Sequence, residues 1–287
     1  MSRENWFFLL GLIVALLLIS GYIAIKHSKF SAITPDRKVT YRIIDGYELT
    51  LHLFQAQGPA LPNGYPVLLL FHGGAWKYGS PHQFYPQCQH FQERGLTCVS
   101  AQYRIASVHD SDPRVALEDA QAAILYLRQH AAELYINPKR IIAGGGSAGG
   151  HLAAALGVGL PIKDTPMDRK NLSRPNALVL YNPMLDLSPG RPDHHLVAVY
   201  WSDISPYHHI DGNIPPTLIL LGTEDSEVPV STAQAFCDKV IYNGGQCKLA
   251  LYEGAKHGFF NHSVENSKYF NLTNQIINKF IDSLGFL

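Results

Sequence analysis

The chain has 287 residues, 46% hydrophobic and 16% charged, which is the balance of an ordinary globular protein with material for one large α/β core or two small domains. Its 23 Lys and Arg offset its 23 Asp and Glu, and the cations are scattered, which excludes the basic footprint of a nucleic-acid or polyanion binder. One domain acting on a small neutral ligand is expected, with no metal and no cofactor.

After a five-residue flank (1–5), Trp6 to Ile25 is an unbroken apolar run of the length a helix needs to cross a bilayer, so 6–25 reads as a transmembrane anchor or, alternatively, a cleaved signal peptide. Arg3 and Glu4 cancel before it while Lys26 and Lys29 follow it, so the positive-inside rule alone would keep the domain cytoplasmic. A polar linker (26–37) leads into a domain over 38–287. "KVTYRIIDGYELTLHLFQ" then predicts two alternating strands around an Asp45-Gly46 turn.

The runs "PVLLLFH", "LTCVSAQ", "RIIAGG", "ALVLYN", "TLILLG" and "KLALYE" follow, each bounded by turn residues; continuous apolarity marks strands buried on both faces. Helical patterns lie between them, the clearest being "PRVALEDAQAAILYLRQHAAEL" with Pro113 near its start. Alternating strands and helices predict a mostly parallel central sheet flanked by helices. The stretch 186–216, rich in Pro, His and aromatic residues, breaks the alternation and is expected to form a small cap. Its pairs His194-His195 and His208-His209 have no Cys or acidic partner at metal-ligand spacing and read as solvated loop residues.

Cys88/Cys98 and Cys237/Cys247 each join a helix to the next strand. Because a helix packs about 10 Å from its sheet and Cα atoms more than about 7 Å apart cannot be bridged, four buried free thiols are expected.

The chemistry concentrates at the Arg140 to Ala155 stretch, "RIIAGGGSAGGHLAAA", where Gly145-Gly146-Ser147-Ala148-Gly149 matches G-x-S-x-G at a strand-to-helix junction. That is the pattern of a nucleophile elbow, in which the flanking glycines let strand and helix pass closely and the serine is held strained. The Gly-Lys-Ser/Thr of a phosphate loop is missing. A serine nucleophile needs a base, a group to orient it and donors for the oxyanion. His257 follows the last strand run, and Asp225 follows the run before it, giving the order Ser, Asp, His. Glu224, Glu227 and Asp186 are the competing carboxylates. Gly73, Gly74 and Ala75 in "HGGAW", with the Ala148 amide, are the expected oxyanion donors, His72 orients their loop, and His151 belongs to packing or capping.

Together "HGGAW", "QYR", "GGSAGGHLAA", "LGTEDSEVP" and "EGAKHGFF" resemble the carboxylesterase and acetylxylan-esterase branch of the α/β-hydrolase superfamily, near the hormone-sensitive-lipase-like esterases, from about Val39 to the C-terminus. Ala75 replaces a third glycine and Gly146 replaces a frequent Asp of the latter group, which favours the carbohydrate-esterase-like neighbours. The resemblance implies an α/β-hydrolase fold, an acid at the slot of Asp225, hydrolysis of short-chain carboxylic esters (acetylated carbohydrates among them) through an acyl-enzyme on Ser147, and an exported or membrane-anchored protein. A peptidase or amidase of the same fold and a non-catalytic ligand-binding relative are the competing readings; the first would be expected to carry an additional filtering domain, and the second to lack a triad member.

Overall fold

A computed structural model describes residues 33–160 and 172–287, with Pro35–Leu287 forming one compact unit. The apolar run Trp6 to Ile25 lies outside the described residues, among which no helix is long and apolar enough to cross a membrane. Arg37–Ile44 (β1) and Tyr47–Phe54 (β2) form the hairpin expected from the sequence, with Asp45 and Gly46 both at positive φ, as a two-residue turn of this hand requires. The apolar runs become Tyr65–Phe71 (β3), Thr97–Ala101 (β4), Ile136–Gly146 (β5), Ala177–Tyr181 (β6), Thr217–Gly222 (β7) and Cys247–Tyr252 (β8).

The eight strands form one sheet in the order β1-β2-β4-β3-β5-β6-β7-β8. β1 and β2 are antiparallel to their neighbours, and every pairing from β4 through β8 is parallel. Strands β3, β4, β6 and β7 are buried on both faces apart from the first residue of β3, as their continuous apolarity requires. β8 departs from that expectation: it is the sheet edge, and Lys248 and Leu251 are exposed.

The longer helices are Tyr85–Glu93 (α1), Pro113–Gln129 (α2), Ala148–Val158 (α3), Val230–Tyr242 (α4) and Lys268–Ser283 (α5). Asp112 caps α2, its carboxylate accepting from the Arg114 N–H, with Pro113 in the first turn where no amide hydrogen is needed. Every residue of α3 is buried; its alanines and glycines let it lie close to the sheet. Asp119 of α2 is fully buried and accepts from Arg104 Nε (2.8 Å), Arg104 Nη2 (2.9 Å), the Arg104 amide (2.9 Å) and Arg42 Nη1 (2.6 Å). The arginine of "QYR" therefore ties α2 to the sheet, and removing one partner would strand a buried charge at a cost of about 3–5 kcal/mol.

The cysteines correct the expectation of free thiols: Cys88–Cys98 and Cys237–Cys247 are disulfides with Cα separations of 4.9 and 5.1 Å. The 10 Å spacing refers to a helix axis, whereas Cys88 and Cys237 are buried residues of α1 and α4 that face the strand entered after the next turn. At those points the two backbones converge within bridging distance.

The parallel register brings the carboxyl ends of five strands to one edge, since Phe71 pairs with Gly145, Gly146 with Tyr181, Tyr181 with Leu220 and Gly222 with Tyr252. The loops that leave those ends meet there, the usual ligand position in an open α/β sheet.

Candidate active site

Ser147 sits between β5 and α3 with φ 52° and ψ −116°, a conformation that L-residues rarely adopt and that costs on the order of 1–3 kcal/mol. The flanking glycines are dictated by crowding: a Cβ on Gly145 would run into the Phe71 carbonyl, and one on Gly149 into the Phe71 and His72 carbonyls. A Cβ on Gly146 would strike the ring of Phe260. Phe260 therefore explains why no Asp occupies this position, as it frequently does in the resembled esterases.

Ser147 and His257 line one cavity of about 440 Å³. His257, in the loop after β8, places Nδ1 2.9 and 3.0 Å from Asp225 Oδ2 and Oδ1. The Asp225 side chain is fully buried, and its Oδ1 also accepts from the amides of Glu227 (2.9 Å) and Val228 (2.8 Å), so the carboxylate is fixed before the imidazole meets it. Glu224 is exposed, and Glu227 reaches the cavity wall. Asp186 is committed elsewhere: it accepts from Arg191 Nε (2.8 Å) and the Ser188 amide (3.0 Å), and these partners hold its carboxyl below the usual range against an opposing burial effect.

The loop after β3 is held by Tyr103, which donates to the His72 carbonyl (2.8 Å) and stacks on the His72 ring (centroids 4.2 Å apart). His72 Nδ1–H in turn donates to the Gly73 carbonyl (2.8 Å). Gly73, Gly74 and Ala75 all line the cavity. The Gly73 amide, however, already donates to Gln83 Oε1 at 2.7 Å, so one of the four expected oxyanion donors is engaged within the protein. Gln83 lies in the short helical turn before α1, and no spacing in the sequence points to it. Ala148 opens α3, where a first-turn amide has no intrahelical acceptor.

Segment 186–216 folds into short helical turns at His194–Val197, Trp201–Ile204 and Pro206–His209, and Asp193 from it reaches the cavity. Three of its four paired histidines are not free in solvent. His194 Nδ1 bonds the Leu187 carbonyl, His208 Nδ1 the Ser205 hydroxyl, and His209 Nε2 the Ser202 carbonyl.

His151, in the first turn of α3, is fully buried; its Nε2–H donates to the Ile204 carbonyl (2.7 Å) and its ring meets Trp76 edge-on. Burial pushes the pKa of His151 and of His72 down to about 4. Both histidines gain protons in the unfolded chain near pH 6.5 but in the folded protein only near pH 4. Their contribution is therefore complete above pH 6.5 and lost as pH falls toward 4, roughly 2 kcal/mol per group at pH 5. His151→Gln, which retains a donor for Ile204, is expected to lose less melting temperature between pH 7 and pH 5 than the parent; parallel losses in the two melting series would contradict this.

The chain is similar to known hydrolases. The BD-FAE family model matches residues 56–177 and the prolyl oligopeptidase family model residues 180–280. Esterase LipC of Mycobacterium tuberculosis is 30% identical over 217 residues, covering 68% of this chain and 53% of that protein. The acetylxylan esterase of Xylanibacter ruminicola is 24% identical over 217 residues, covering 70% of this chain and 42% of that one. The chain spans about half the length of these curated relatives. Among solved structures, the propionate-bound esterase Est2 of Thermogutta terrifontis is 36% identical, with TM-score 0.81 over 89% of this chain and 97% of that one. The same esterase has been solved phosphorylated by paraoxon, at 36% identity and TM-score 0.80 over 88% of this chain and 95% of that one. An identity above 30% across nearly the whole of that enzyme, on the same fold, is a family relationship, and the chain belongs to the α/β-hydrolase serine esterases.

Proposed function

We propose that the protein hydrolyses short-chain carboxylic esters through an acyl-enzyme on Ser147. The observation that carries this reading is His257, fixed by Asp225, sharing a cavity with a serine held at positive φ. Asp225 accepts from Nδ1–H, so Nε2 of His257 is the unprotonated nitrogen that takes the Ser147 proton as Oγ bonds the ester carbonyl carbon. The electron pair driven onto the carbonyl oxygen is received by amides of the Gly74, Ala75 and Ala148 set. The alcohol leaves with the proton from His257, and water repeats the sequence to free the acid.

The cavity volume suits a small acyl group, and the related esterase has been solved with propionate and with butyrate bound. The charged side chains on the cavity wall besides His257 are Asp193 and Glu227, both carboxylates, so a neutral ester, acetylated carbohydrate included, is favoured over an anionic one. Turnover of p-nitrophenyl esters is expected to peak at acyl chains of two to about six carbons. Faster turnover of long-chain than of acetyl esters would overturn this. A peptidase or amidase is the second reading, favoured by the prolyl oligopeptidase match over residues 180–280; amide turnover rivalling ester turnover would make it the first.

The protein is also proposed to work outside the cytoplasm, exported or held at a membrane by Trp6 to Ile25. Two disulfides support an oxidising compartment, and the apolar run supports passage to it. Resistance to carbonate extraction would show retention as an anchor, recovery of a soluble form beginning beyond the run would show cleavage, and a cytoplasmic protein with four alkylatable thiols would contradict both.

A further inference from the structure

Asn182 follows β6 directly, and neither the serine motif nor the order of the triad points to it. It is fully buried and its backbone adopts φ 35°, a left-handed value that Asn tolerates better than most residues. Its own amide donates to the Leu220 carbonyl (2.8 Å), which pins the residue to β7. The side chain meets two adjacent residues of the loop after β8: Oδ1 accepts from the Gly258 amide (3.4 Å), and Nδ2 lies 3.3 Å from His257 Nε2. The Gly258 N–H can only donate, so the atom facing it is the oxygen and the atom facing the imidazole is the NH₂ group. His257 Nδ1 already donates to Asp225, so Nε2 carries the lone pair. In the resting enzyme, the nitrogen that must take the Ser147 proton is therefore receiving a hydrogen bond from Asn182.

We propose that Asn182 is a positioning residue for the base: it holds His257 in its neutral, proton-accepting tautomer and yields Nε2 to Ser147 when substrate binds. This rests on the reading of His257 as the base. On attack the Ser147 Oγ–H bond breaks, Oγ bonds the carbonyl carbon, the π pair moves to the carbonyl oxygen, and the proton arrives on Nε2. The Nδ2–H···Nε2 bond has been given up by then, on substrate binding, because Nε2 has a single lone pair. With Oδ1 held by Gly258, Asn182 can offer a protonated Nε2 only another donor, so it opposes idle protonation of the ring and favours the form that can act. Asp225 on Nδ1, with Asp193 from segment 186–216 and Glu227 from the β7–α4 loop on the cavity wall, are the charged groups near the ring. All act in the opposite sense, by favouring the imidazolium.

The test is the pH dependence of Ser147 phosphonylation by a fluorophosphonate, a reagent that needs the nucleophile and base but no particular ester. Asn182→Asp replaces the donor with an acceptor of the same shape and adds a negative charge beside Nε2. Its acid limb is expected to move up by about one pH unit, so that its rate falls by several-fold, up to about tenfold, relative to the parent on that limb and recovers above pH 8. Asn182→Gly accommodates the positive φ and removes the amide; its rate is expected to fall threefold to tenfold, with a smaller upward shift of the limb. A loss through structural damage alone would lower the rate equally at every pH. Folded variants with the parental rate and limb, or with such a uniform loss, would overturn the proposal, and should Asn182→Asp not fold, the limb of Asn182→Gly decides. A parent enzyme unlabelled at every pH would overturn the serine-hydrolase reading instead, and this role with it.

Discussion

Ser147→Ala is expected to lower kcat on p-nitrophenyl acetate by about 10⁵- to 10⁶-fold, the scale on which loss of a triad nucleophile is felt elsewhere. The fold should survive. The elbow already accommodates a Cβ at this position, and the crowding that would punish a larger change falls on Gly145, Gly146 and Gly149. Alanine carries the same positive-φ cost as serine, so the unfolding free energy should change by no more than about 1 kcal/mol. A folded Ser147→Ala protein that kept a tenth of the parental rate would remove the nucleophile from the mechanism.

Asp225→Asn is expected to cost about 10³- to 10⁴-fold in kcat with a smaller effect on KM, because the carboxylate selects the His257 tautomer and stabilises the imidazolium formed during attack. An asparagine presents one oxygen and one NH₂ where two oxygens now serve His257 and the amides of Glu227 and Val228. Glu224→Gln and Glu227→Gln should stay within about tenfold of the parent, since one is exposed and the other lines the cavity without a bond to the imidazole. Asp186→Asn should change the rate little, because the bonds it weakens, to Arg191 and Ser188, lie within segment 186–216. Kinetics of the four variants on one ester separate these roles. A damaging Asp186→Asn beside a silent Asp225→Asn would move the acid to the end of β6.

Features written in local pattern were legible in the sequence. The Asp45-Gly46 hairpin and the buried strand runs show in short stretches of sequence, and so do the glycines around Ser147, although the atoms they clear, on Phe71, His72 and Phe260, are distant in the chain. What escaped depends on how distant segments meet. Gln83 reaches Gly73 across a loop of ten residues, and Asn182 reaches His257 across 75, and a buried amide has no periodicity to betray it. The disulfides escaped for a related reason: the distance between helix and strand at one residue is set by how the connection turns, not by the mean spacing of the layers. β8 looks like a central strand because its exposed leucine obeys no rule of burial; only its place at the sheet edge explains it.

The central claim is that an ester's acyl group passes through a covalent bond to Ser147. Acid quench of the enzyme during steady turnover of p-nitrophenyl propionate, followed by proteolysis and mass spectrometry, tests it directly. The expected result is one propionyl group, found on the peptide that contains Ser147 and missing from the Ser147→Ala protein. Continued turnover with the acyl group on another residue, or an adduct that forms equally well in Ser147→Ala, would contradict it.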